Sequence, residues 1–208
     1  MRANPFAIAV AGIAALGVAT WAVTRPGHDM SDCAATRVMG QAAIGGPFEL
    51  VSETGETVTD AEVFTRPSIV YFGYTHCPDV CPIDNMRNVK AVELLTEQGI
   101  EAQAVFITVD PARDTPEVMA DYTAMFEADP EAETLIGLTG TEEQIQEAKR
   151  AWRVSAQLGD TSDEFYLVSH TTFSYLVLPG QGVVEIFNRD TPVEDMAATV
   201  ACYIRAAV

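Results

Sequence analysis

One stretch of this chain constrains its fold more than any other: Val70-Tyr71-Phe72-Gly73-Tyr74-Thr75-His76-Cys77-Pro78-Asp79-Val80-Cys81-Pro82. An apolar run of strand type leads into two cysteines four positions apart, and a stretch that can be helix follows. On a helical turn, positions i and i+4 face the same way. Two thiols so placed can grip one soft metal ion or close into one disulfide. The mouth of a helix also favours thiolate, because unpaired backbone N–H groups and the helix dipole stabilise negative charge there. The segment is suited to sulfur chemistry. Its C-x-x-x-C spacing does not by itself separate metal binding from dithiol exchange.

The 208 residues divide into an expected membrane anchor at 1–25, a linker at 26–45 and a globular domain at 46–208. Residues 6–23 are almost unbroken apolar or small, and at about 1.5 Å per residue they reach ~27 Å, the short end of a bilayer span. No pair of small residues marks a cleavage site near the end of that run, so an uncleaved transmembrane helix is expected. The formal net charge of −18 argues against nucleic acid as a partner, since phosphate backbones call for Lys and Arg. Acidic residues gather at 127–133, 142–147 and 160–164, and such clusters read as solvated faces.

Within the domain, residues 48–51 and 57–58 flank Glu53-Thr54-Gly55-Glu56 and predict a β-hairpin. Residues 68–74 and 102–109 predict buried strands. Residues 84–98 predict a helix with Met86, Val89, Val92, Leu94 and Leu95 inward. Thr115-Pro116 starts another helix, with Val118, Met119, Tyr122, Met125 and Phe126 as its core residues. Thr141 with Gln144 makes a capping box, and Thr191 with Glu194 makes a second. Strands are expected at 166–169, 172–178 and 183–187, the last two joined by Pro179-Gly180-Gln181-Gly182. A βαβ unit, then a hairpin and a final helix, fits an α/β thioredoxin-like sandwich, preceded by the N-terminal β-hairpin. That fold keeps its redox site where a cysteine pair opens the first helix.

Three histidines occur: His28, His76 and His170. His28 falls in the linker. His76 adjoins Cys77 and could tune a thiolate or simply face solvent. His170 sits at a predicted strand end, where a histidine is either a satisfied polar group or a ligand. Met86 reads as core. Asp110, Arg113 and Asp114 form a charged loop, read as a turn held by local hydrogen bonds and an ion pair.

Taken in order, GYTHCPDVCP, the segment 106–116 (FITVDPARDTP), the turn Gly137-Leu138-Thr139-Gly140 and His170-Thr171 resemble the SCO/SenC family of copper-binding, thioredoxin-like assembly proteins. The likeness runs from about residue 45 to 187. It implies that Cys77, Cys81 and His170 are copper ligands. Two thiolates suit Cu(I), and an imidazole extends the site to Cu(II), although zinc accepts the same set. Many relatives carry an acid just before the ligand histidine, whereas this chain has Ser169. The likeness also implies a copper metallochaperone, anchored with its folded part outside the cytoplasm, for a bacterium in the periplasm. Its partner would be the copper-bearing subunit of cytochrome c oxidase, with another copper chaperone or a thiol reductant as further partners. The rival is a metal-independent thiol–disulfide oxidoreductase or thiol peroxidase, with Cys77 and Cys81 as the redox dithiol. If Cys77 and Cys81 act together, Cys33 and Cys202 are left to pair as a disulfide, which needs an oxidising compartment.

Overall fold

The computed structural model describes residues 30–34, 44–126, 134–163 and 165–207. The expected anchor at 6–23, His28 and the acidic run at 127–133 lie outside the described residues. Among the described residues no helix is long and apolar enough to cross a membrane.

Seven strands form one sheet, in the order β2-β1-β5-β4-β3-β8-β9. The hairpin β1 (Glu49–Ser52) and β2 (Thr57–Thr59) is where the sequence places it. Its turn passes through Gly55 at φ +82°, a conformation that glycine adopts without a Cβ penalty. A single turn of helix, α1 (Asp60–Val63), follows. The centre of the sheet is β3 (Ser68–Gly73) beside β4 (Gln103–Thr108), parallel and in register from Ser68↔Gln103 to Gly73↔Thr108. Every residue of both strands is buried, as their continuous apolar runs predict for parallel strands covered on both faces. On the other side of β3 lies antiparallel β8 (Ser174–Leu178), itself paired with β9 (Gly182–Phe187).

Helix α2 (Val80–Glu97) joins β3 to β4. It begins four residues earlier than the sequence suggested and takes Cys81 and Pro82 into its first turn. A proline is tolerated there because the first N–H groups of a helix have no intrahelical partner to lose. Helix α3 (Pro116–Thr123) is capped by Thr115, which accepts from Val118 N–H at 3.4 Å. Helix α4 (Glu142–Trp152) has the expected capping box of Thr141 and Gln144. Helix α5 (Val193–Ala206) packs against α2.

Several expectations are corrected. Residues 137–140 are not a simple turn: Leu135–Thr139 is strand β5, parallel to β4 and antiparallel to β1. Its small residue Gly137 reads as a turn former, but a Cβ there would stand 3.0 Å from Thr123. Strand β6 (Ala156–Leu158) has too short a pattern to read, and among the described residues it pairs only with β7 (Val168–His170). The cap of α5 is Pro192, with no side-chain hydrogen bond, so Thr191 and Glu194 form no capping box. Met86 and Met125 are exposed, and Leu94 is half-buried.

Cys33 and Cys202 are joined by a disulfide, 169 residues apart in sequence. It fastens the segment around Met30–Asp32 to α5.

Candidate functional site

Strand β3 ends at Gly73, and the chain turns through residues 74–79 into α2, so both cysteines come to the C-terminal edge of the sheet. Neither is in a disulfide. Cys81 is wholly buried, whereas Cys77 keeps 8% of its surface exposed. The Cys81 backbone N–H points at Cys77 Sγ, 3.4 Å away. Cys77 is therefore the sulfur served by the helix mouth. A hydrogen bond from the Cys81 thiol pulls the Cys77 pKa down to about 3, against the opposing effect of burial. The backbone N–H groups of Asp79 and Cys81 add to the lowering. Cys81 is pushed the other way, first by sharing its proton with Cys77 and then by burial. The pair is one thiolate and one thiol.

His170 reaches the pair on β7. Its Nε2 stands 3.4 Å from Cys81 Sγ. Its Nδ1 lies 2.8 Å from the Thr171 carbonyl, which can only accept, so Nδ1 carries a proton and Nε2 is turned to the sulfurs. The rings of Tyr74 and Tyr71 meet the imidazole edge-on at 5.8 and 6.1 Å. Ser169 is exposed, as strand alternation requires for the neighbour of an inward His170. Cys77, Cys81 and His170 thus converge through hydrogen bonds. Among the described residues, no three His, Cys, Asp or Glu side chains stand in an arrangement that could hold a metal ion as they are.

Below the sulfurs lies a polar network that the sequence did not announce. The Tyr71 hydroxyl donates to Asp84 Oδ2 at 3.0 Å and stands 3.9 Å from Cys81 Sγ. Asp84 is buried beside Arg87 at 3.5 Å and Arg189 at 3.4 Å. Burial raises the Asp84 pKa, and the two guanidinium groups work against that rise. Gly73 matters by its size: a Cβ there would meet Cys81 Sγ at 2.9 Å and Phe106 at 2.8 Å. One legible signal for Asp84 was its position three residues after Cys81, on the same helical face. Tyr71 and Gly73 carried none.

The charged loop lies at the same edge of the sheet. Asp114 is buried and accepts from Thr75 N–H at 3.1 Å, Thr75 hydroxyl at 2.6 Å and Thr108 hydroxyl at 2.6 Å. It therefore ties the end of β4 to the cysteine loop. His76 turns to Thr75 and Asp114, with Nδ1 3.7 Å from the carboxylate. Asp110 and Arg113 form the expected ion pair, at 2.6 Å. Met86 is surface-exposed on α2.

Fold and centre together define a thioredoxin-like α/β protein whose helix-mouth cysteine pair is joined by a histidine from a distant strand. The chain belongs to the SCO1/SenC family, whose profile matches residues 36–205. It is 44% identical to Protein SenC of Rhodobacter capsulatus over 209 residues, covering 99% of this chain and 90% of that one. It is 36% identical to the mitochondrial Protein SCO1 homolog 1 of Arabidopsis thaliana over 80% of this chain, but spans only 48% of that protein. A crystal structure of Arabidopsis thaliana ScoI with copper bound superposes with a TM-score of 0.71 at 35% identity, covering 78% of this chain and 99% of that one.

Proposed function

We propose that this protein is a copper metallochaperone that assists assembly of the binuclear copper centre of cytochrome c oxidase. The observation that carries the reading is the meeting of Cys77, Cys81 and His170 at one edge of the sheet. The Cys77 and Cys81 sulfurs would hold Cu(I), and His170 Nε2 would complete a set of three that also serves Cu(II). Three protein donors leave one side for a partner's thiolate, so copper can pass from one ligand set to the next. The target is drawn from the family: its copper-bearing subunit would receive the ion, with another copper chaperone as a possible donor.

The same pair supports a second role, favoured by the asymmetry of its thiols. The Cys77 thiolate attacks a sulfur of the partner's disulfide and expels the partner's other sulfur as thiolate. Cys81 then attacks Cys77 in the mixed disulfide and releases the second partner thiol. The proton of Cys81 goes to a leaving thiolate. The partner gains two electrons, Cys77–Cys81 becomes a disulfide, and a thiol reductant must reset it.

We place the folded domain outside the cytoplasm, on an N-terminal membrane anchor at residues 6–23. Support comes from the apolar run and from the Cys33–Cys202 bridge, since such bonds persist in oxidising compartments.

The test is copper stoichiometry and absorption spectrum on protein from residue 29 onward, beside Cys77→Ser and His170→Ala. One copper per chain is expected, with a sulfur-to-Cu(II) charge-transfer band that both substitutions remove. Failure to hold copper, with Cys77 and Cys81 still cycling between dithiol and disulfide, would replace this reading by the metal-independent oxidoreductase.

A further inference from the structure

His170 rides on the β6–β7 ribbon, which shares no ladder with the seven-stranded sheet. The ribbon's backbone bonds hold it to itself: Ala156↔His170 to Leu158↔Val168, with Gly159 N–H to Leu167 O at 2.8 Å and Thr171 N–H to Ser155 O at 2.9 Å. Its placement against the cysteines therefore depends on side-chain contacts, beside the short link of residues 171–173 to β8. One of these is the Tyr74 side chain against the Val168 backbone; another involves Tyr166, four residues before His170. The Arg113 guanidinium lies 3.5 Å over the Tyr166 ring. The Tyr166 hydroxyl donates to Asp110 Oδ1 at 2.8 Å, and Arg113 Nε donates to Asp110 Oδ2 at 2.6 Å. Arg113 also stands 5.7 Å from the Tyr74 ring, the same ring that meets His170 edge-on.

We propose that Arg113 is a positioning residue for His170: stacked on Tyr166, paired with Asp110 and braced on Tyr74, it fixes the ribbon so that the imidazole faces the sulfurs. The proposal rests on His170 acting as a metal ligand. Only a planar fork can lie flat on a ring and bond a carboxylate edge-on at once, so lysine is a poor substitute. The loop 110–114 then has two jobs in five residues. Asp114 holds the cysteine loop through Thr75, and Arg113 holds the histidine ribbon through Tyr166. That loop sets the two halves of the site against each other.

The experiment compares wild type, His170→Ala, Arg113→Gln, Arg113→Lys and Tyr166→Phe. In metal-free protein, NMR cross-peaks between the Tyr74 and His170 rings report ring placement directly. Added copper ions then report Cu(II) affinity by competition, the charge-transfer spectrum and Cu(I) affinity. Arg113→Gln is expected to weaken the cross-peaks and to lower Cu(II) affinity about 10- to 100-fold, the range typical of groups that orient a metal ligand. Cu(I), held mainly by two sulfurs, should change far less, and Arg113→Lys should restore only part of the loss. If Arg113→Gln does not fold, Tyr166→Phe, which deletes only the hydroxyl on Asp110, must show the same direction. Unchanged cross-peaks and Cu(II) binding in the Arg113 variants, while His170→Ala loses Cu(II), overturn the proposal. Wild-type Cu(II) binding in His170→Ala would overturn the ligand reading instead, and the metal-free cross-peaks would then judge Arg113 alone.

Discussion

Cys81 Sγ and His170 Nε2 stand 3.4 Å apart, though 89 residues separate them along the chain. The contact closes the polar side of a pair whose other member, Cys77, already takes the Cys81 backbone N–H. Because the Thr171 carbonyl engages Nδ1, the ring has one nitrogen left to offer, and it is aimed at sulfur. The site is thus charged unevenly: the more accessible sulfur is the thiolate, and the buried one keeps the proton.

That asymmetry has a measurable pH signature. A thiolate is the nucleophile, and its population is full above its pKa. With Cys77 held at about 3, its alkylation rate should be flat from roughly pH 5 to pH 8, whereas a free thiol near 8.5 gains almost tenfold per unit there. Cys81, raised and buried, should stay unmodified over the same range. Pulse alkylation with mass-resolved peptides checks both. A Cys77 rate that climbs tenfold per unit between pH 6 and pH 8 would sink the assignment. The same asymmetry means that Cu(I) uptake near pH 7 should release about one proton, that of Cys81, where two ordinary thiols would release two. Calorimetry in buffers of different ionisation enthalpy counts it.

Much of this arrangement was legible in the sequence, for identifiable reasons. The strand at Ser68–Gly73 and the helix after it are written in a continuous apolar run followed by a helix-compatible stretch, and the cysteine spacing needs no partner to be noticed. His170 is different. A single histidine at a strand end carries no local signal, and only the family resemblance drew attention to it. Strand β5 was hidden because Gly137, read as a turn former, is there for close packing against Thr123. Met86 and Met125 fit a helical apolar period yet face solvent, since the period says nothing about where a helix runs past the core. Tyr71, Gly73 and Tyr166 act through neighbours distant in sequence or set by strand pairing, which no linear pattern encodes.

The Cys33–Cys202 bridge should be a matter of stability and not of chemistry at the site. Closing 169 residues of chain restricts the unfolded state, and removing such a bond costs on the order of 2–5 kcal/mol. For a chain of this size, roughly 2–4 °C of melting temperature goes with each kcal/mol, so a Cys33→Ser, Cys202→Ser double variant should melt about 4–20 °C lower. Its copper stoichiometry and Cys77 alkylation rate should match wild type. An unchanged melting temperature, read by circular dichroism, would show that the bridge contributes nothing to stability.

Gly73 offers the most selective way to disturb Cys81 without touching a sulfur. A methyl group there would stand 2.9 Å from Cys81 Sγ, 2.8 Å from the Phe106 ring and 3.0 Å from the Tyr71 ring. All three neighbours are fully buried, so none has free space to yield into. Forcing a methyl into a close-packed interior costs roughly 1–3 kcal/mol. The sulfur sits at the first turn of α2, at the edge of the sheet, and is expected to be the one that moves. A shift away from Gly73 would change its contact with His170 and disturb the proton it shares with Cys77. Gly73→Ala is therefore expected to fold with a modestly lower melting temperature, to lose part of the flat alkylation profile of Cys77, and to bind copper more weakly than its loss of stability alone explains. Should the variant keep both the wild-type alkylation profile and wild-type copper affinity, the packing of Gly73 against Cys81 would be structural only, and the position of the sulfur would have to be set from the helix side.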